Sequence, residues 1–282
     1  MYSTVGILKT SKLSDKIVGT HQKLDRVSRK ILGKNIPKKT FFPSAKDIIY
    51  FEGNRGPDGL KVKSAGIDEP AHFVIPENDD RKLIKIILDH QYNLREALKS
   101  GNSVRASFEA AWMAHAITDG LTPAHHFPLV DVREELMTDK EFVKIFGQPI
   151  KGIMRGNTPA ETARNNWLYW GADGYMSKHI AFEYGVAVAV TSMPYRLLTP
   201  KISREDFKDF DLETEFYKSV YKIDSFHMYD KFCKKGWTAE LALDVRSVLL
   251  PEIVRLVTLA WYSAIPEEQK WILFPEFTNI NL

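Results

Sequence analysis

Apolar residues recur at steps of three and four along most of the chain, the spacing that gathers them on one face of a helix. Between Ser14 and Leu32 the stripe is Ile17, Leu24, Val27 and Ile31, with Ser14 placed to cap the start and Gly33 to end the segment. Asp80 to Lys99 repeats the pattern with Leu83, Ile86, Ile87, Tyr92 and Leu94, and Ser103 to Thr118 follows, limited by Pro123. Asp131 to Phe146 is charged and amphipathic, and Gly147 to Asn157 is a Gly-rich loop. Thr158 to Thr191 reads as one long helix and Arg204 to Tyr221 as another. Thr238 to Ile265 is a last apolar helix, which Pro251 should kink or split, because proline lacks an N–H and crowds the carbonyl four residues back. Lys34 to Asp80 has no such period. It is rich in Pro, Gly, Asn and Asp and reads as a long connection, the kind that is usually functional or disordered. Strand-like alternation is nowhere sustained and no repeat is found. The pattern predicts an all-α fold, a single domain over residues 1–282 with several helices packed around a site.

Composition narrows this reading. Of 282 residues, 44% are apolar and 27% charged, which excludes a disordered chain, a collagen-like repeat and a disulfide scaffold. Cys233 is the one cysteine, so no intrachain disulfide forms and a reducing compartment suits the chain. No apolar run approaches the roughly 18 residues of a membrane span. The first residues lack an apolar stretch followed by a small-residue cleavage site, so the expected location is cytoplasmic, or secreted if the sequence is a mature form. Charge is uneven: residues 1–39 hold ten Lys and Arg against two acids, while the rest is net acidic. Basic residues 9–39 form either a solvated helix face or a docking patch for an anionic membrane or nucleic acid.

Two histidine–acid pairs carry the chemistry. His115 and Asp119 are four apart, as are His179 and Glu183. That separation puts both side chains on one helical face, one turn apart, which is how a helix offers two ligands to one metal. His125 follows six residues after Asp119, just past Pro123, and can fold back to the same face. Alanines and other apolar residues flank both pairs, and burying unpaired charge there is costly. A single pair of this kind is ordinarily a surface ion pair. Two pairs with His125 behind the first point to a divalent cation, and the nitrogen–oxygen donor mix suits zinc.

The order His115, Asp119, His125, His179, Glu183 resembles the zinc-dependent phospholipase C family, whose fold is shared with single-strand-specific zinc nucleases. The resemblance implies further ligands upstream, and matching residues are present: His21 in the first helix, Asp58 in Gly56-Pro57-Asp58, and His72 in Ala71-His72-Phe73. It implies that Asp58, His72, His115 and Asp119 hold one zinc, that Asp119 bridges to a second bound by His21, and that His125, His179 and Glu183 hold a third. Two to three Zn²⁺ per chain follow. Asp58 would also orient the attacking water as a base, and the implied reaction is hydrolysis of a phosphodiester by metal-activated water. Asp68 is the competing upstream acid.

The chain departs from the family in three places. Secreted members supply the amine and carbonyl of an N-terminal Trp to the second zinc, and here no Trp precedes His21. The interval between His125 and His179 is long, an insert at roughly 128–166 that can form a lid or partner surface. Gly59 and Glu69 stand where choline-preferring members carry aromatics. The expected function is a phospholipase C-like phosphodiesterase acting on a phospholipid or other phosphodiester. The alternatives are a single-strand nuclease or nucleotidase on the same scaffold, and a non-catalytic zinc-binding scaffold protein. Glu183 favours the phospholipase side, since the nucleases compared use Asp there.

Overall fold

A computed structural model describes residues 19–52, 55–57, 72–78, 81–146 and 152–270. Among these residues every regular element is helical and no strand occurs. Asp58 and its competitor Asp68 lie outside them, as do Ser14 and Asp80.

The helices begin with α1 (Thr20–Leu32), which buries Leu24, Val27 and Ile31 and starts at Gly19, whose N–H donates to the Gln22 side chain. The irregular connection holds one short helix, α2 (Ala45–Tyr50), capped by the Ser44 hydroxyl, which accepts the Asp47 N–H. Next come α3 (Lys82–Lys99) and α4 (Ser103–Leu121). Gly101 joins them at φ +67°, a left-handed conformation that glycine adopts without penalty. The two helices then pack along their lengths. Helix α4 extends past Thr118, so Asp119 sits within it, one turn after His115.

The next segments are more broken than their patterns suggest. The charged stretch forms α5 (Leu129–Leu136) and α6 (Lys140–Phe146). The stretch expected as one helix divides into α7 (Pro159–Trp170) and α8 (Tyr175–Ser192). Gly171 and Gly174 make the break. A Cβ on Gly171 would meet the Trp167 carbonyl oxygen at 2.3 Å, and one on Gly174 the Tyr169 carbonyl oxygen at 2.6 Å. Short α9 (Tyr195–Leu198) and α10 (Glu205–Lys208) lead to α11 (Leu212–Asp224), α12 (Met228–Lys235) and α13 (Ala239–Asp244).

The last helix is interrupted just ahead of Pro251. A π turn over Val245–Leu249 joins α13 to α14 (Leu250–Ala264), with the Leu250 N–H reaching the Val245 carbonyl. Widening the helix by one residue absorbs the hydrogen bond that proline cannot make.

Helices α1, α4 and α14 make the centre of one extended apolar core. Trp261 of α14 is fully buried and its Nε1 donates to the Ala110 carbonyl of α4 at 2.9 Å. Residues 128–166 contribute to a smaller cluster of Leu129, Met137, Met154 and Tyr169, set apart from that core. No helix among the described residues is long and apolar enough to cross a membrane.

Candidate metal centre

Helix α4 is the spine of the site. From Ala106 onward almost every residue is buried, so the polar pair His115 and Asp119 is carried into the interior by its alanine-rich surroundings. Helix α1 brings His21 against it, with Nε2 3.5 Å from Asp119 Oδ1. The short stretch at residues 72–75 brings His72, whose Nδ1 lies 3.0 Å from Asp119 Oδ2. His115 Nε2 lies 3.1 Å from that same oxygen. Each carboxylate oxygen of Asp119 therefore faces a different set of histidines. All these groups are buried.

A second cluster forms where the 3₁₀ turn Pro123–His126 meets α8. His125 Nε2 lies 3.0 Å, and His179 Nε2 3.3 Å, from Glu183 Oε1. The two clusters are stitched together through backbone. The Val74 N–H donates to the His125 carbonyl at 3.1 Å, and His125 Nδ1 donates to the His72 carbonyl at 2.8 Å.

The structure thus brings together His72, His115 and Asp119 in one group and His125, His179 and Glu183 in another, each with donor atoms close enough to share one ion. A further group is His21, Glu52 and His115. Glu52 is absent from the ligands expected from sequence. It follows α2, is buried, and its Oε2 lies 3.2 Å from His115 Nδ1. Asp25 also joins this region. It is buried one turn after His21 on α1, and its Oδ2 has no hydrogen-bond partner. Burial and the charge of Glu52 push the Asp25 carboxyl well above the usual carboxylate range. The His21–Asp25 spacing is the same i, i+4 step that marks His115–Asp119, so the sequence did hold a signal for it. Glu52 stands in an aperiodic stretch and has none.

The chemistry of these donors suits a cation. A neutral imidazole has one N–H and one lone pair. His125 spends its Nδ1–H on the His72 carbonyl, which can only accept. Burial pulls the His125 pKa below its ordinary value, which keeps the ring neutral near pH 7. With Nδ1 so engaged, Nε2 faces Glu183 Oε1 at 3.0 Å, where a metal ion could take both as ligands and an imidazolium N–H could equally bridge them. Burial, with the neighbouring His115, holds His21 well below its ordinary value too. Burial opposes ionisation of the Asp119 and Glu183 carboxyls, while hydrogen bonds from His115 to Asp119 and from His125 and His179 to Glu183 favour it. Neutral histidines beside ionised carboxylates are the forms that bind a divalent metal.

The remaining histidines have other work. His126 Nε2 donates to the Gly120 carbonyl and its Nδ1 faces Asp224. His90 pairs with buried Glu109. Beside the His125 group, a cavity of about 430 Å³ is lined by Phe127, Trp167, Leu168, Tyr175, Lys178 and Tyr229, among others.

Set against protein-family models, curated proteins and solved structures, the chain matches none.

Proposed function

We propose that this chain is a zinc-dependent phosphodiesterase of phospholipase C type. The observation that carries the reading is the two-sided use of Asp119. One oxygen faces His21 and the other faces His72 and His115, as a carboxylate bridging two metals would. His125, His179 and Glu183 form a neighbouring group of their own, in the division the family resemblance implies. Histidine nitrogen with carboxylate oxygen is a donor set suited to zinc.

When bound, zinc would supply Lewis-acid charge for a phosphoryl oxygen and would acidify a water toward neutral pH. The chain's own residues do the rest. Asp119 and the histidines around it fix the donor positions, and the alanine-rich face of α4 keeps bulk water from behind them. Lys178, next to His179, lines the cavity together with Asp173, its ion-pair partner at 3.9 Å, and Asp230. Phe127, Leu168 and Tyr175 give that cavity an apolar wall. Such a wall beside the donors suits a lipid ester, which favours the phospholipase reading over the nuclease.

The basic residues 9–39 suit this substrate class only in part. Lys23 is buried, and its Nζ donates to the Val190, Thr191 and Met193 carbonyls at the end of α8. Arg29 donates to the Phe42 and Pro43 carbonyls. Those two side chains hold the fold together and leave any contact with an anionic membrane to their neighbours.

The test is a substrate screen on zinc-loaded protein with short-chain phospholipids, a chromogenic phosphodiester and single-stranded DNA. Release of diacylglycerol and a phosphorylated head group is the expected result. Cleavage of DNA alone would support the nuclease reading. Zinc bound without turnover of any substrate would support the scaffold reading.

A further inference from the structure

Glu52 extends the metal centre beyond the ligands considered so far. His115 lies between two carboxylates. Its Nε2 faces Asp119 Oδ2 at 3.1 Å and its Nδ1 faces Glu52 Oε2 at 3.2 Å. All three side chains are nine-tenths buried or more. A neutral ring has only one N–H, so it can donate to only one of these acceptors. The Asp119 side is crowded with nitrogen donors, since His72 meets the same oxygen. The Glu52 side is where the proton belongs.

The neighbouring group uses the same device with a different acceptor. There the outer nitrogen of His125 donates to the His72 carbonyl, which leaves Nε2 for Glu183. His21 lies parallel to His115, ring centroids 4.1 Å apart and planes within 8°, so turning His115 about its ring axis would collide with His21.

We infer that Glu52 is a positioning residue of the metal centre. By accepting the Nδ1–H of His115 it fixes the ring in the tautomer and orientation that present Nε2 to a metal shared with His72 and Asp119. This inference rests on the metal reading above. It excludes Glu52 as a direct ligand, although Glu52 with His21 and His115 forms a group compact enough to bind an ion. Outer carboxylates of this kind raise ligand basicity, and their loss typically weakens metal binding by about 10–100-fold.

The experiment measures zinc binding to the full chain by competition with a chromophoric chelator, for wild type, Glu52→Gln and Glu52→Ala. Glu52→Ala should weaken one site by about 10–100-fold. The near-isosteric Glu52→Gln, which keeps a neutral acceptor, should fall between it and wild type. Zinc per chain at saturation should not change. In the zinc-loaded wild type, ¹⁵N shifts of His115 should show Nδ1 protonated and Nε2 on the metal. Loss of one whole zinc in Glu52→Gln, or Nδ1 on the metal, would make Glu52 a direct ligand and overturn the inference. Equal weakening of every site would reduce Glu52 to a packing residue, and unchanged affinity in both variants would also overturn it. A wild-type chain that takes up no zinc would sink the metal reading itself, along with this inference.

Discussion

His21 and His115 stack face to face, with ring centroids 4.1 Å apart and 8° between the planes, and the Asp119 carboxylate spans their ε edges. Two imidazolium rings would repel at this distance. The arrangement calls for neutral rings, and burial provides for it at His21.

Asp119 turns one oxygen to His21 and the other to His72 and His115. Asp119→Asn replaces one charged oxygen with an N–H donor that repels a cation. It should lose at least one metal and lower any hydrolytic rate by two orders of magnitude or more, since one metal-site interaction of this kind is worth several kcal/mol. Elemental analysis of the purified variant checks this, and unchanged metal content would remove the bridging assignment.

Glu183 Oε1 lies within reach of both His125 and His179. Glu183→Gln should remove or weaken one metal and leave the others. Titration with zinc should show one site fewer at the same protein concentration. Simultaneous loss of every metal would mean that the two groups are energetically one.

Acid should destabilise the metal-free chain. His21 and His125 have folded pKa values below their unfolded value of about 6.5. The unfolded chain therefore binds more protons, and stability rises with pH through this window. Their contribution is fully present above about pH 6.5 and is lost as the pH falls toward the folded values. Asp25, pushed up by burial and Glu52, contributes the opposite slope, so Asp25→Asn is the cleaner background. Denaturation midpoints at pH 8, 6.5 and 5 should be level across the first step and fall across the second. A level midpoint down to pH 5 contradicts the assignment.

Gly120 follows Asp119 directly, where α4 packs under α3 and α11. A Cβ there would come within 2.7 Å of Leu83 Cδ2 and 2.8 Å of Phe216 Cζ. Gly120→Ala should cost about 1–3 kcal/mol from overpacking. The gain in helix propensity, up to about 1 kcal/mol, is too small to reverse the sign. Urea denaturation of the metal-free variant measures the balance.

Trp167 is largely exposed at the rim of the aromatic cavity. Trp167→Ala should raise KM for a phospholipid about tenfold, equivalent to ~1.4 kcal/mol, and leave a small chromogenic diester unaffected. Equal effects on both substrates would remove the cavity from the lipid path.

Much of this site was readable because helical spacing is a strong signal. His115 with Asp119, and His179 with Glu183, lie one turn apart on buried helices, as their i, i+4 steps require. Glu52 was hidden because it belongs to an aperiodic connection, where burial depends on tertiary contacts. Asp25 carried the spacing but sits in a helix whose charged residues read as solvated. The division between α7 and α8 was masked by apolar residues on both sides, although Gly171 and Gly174 mark it. Pro251 carries a clear local penalty, and the π turn over Val245–Leu249 is where the helix accommodates it. Asp58, the expected base, lies outside the described residues.

The central claim is that these buried groups hold metal, and zinc content per chain tests it most directly. Protein purified without added zinc, then equilibrated with zinc and freed of excess, should carry two to three zinc ions per chain by elemental analysis. None bound, even after zinc is supplied, would contradict the account.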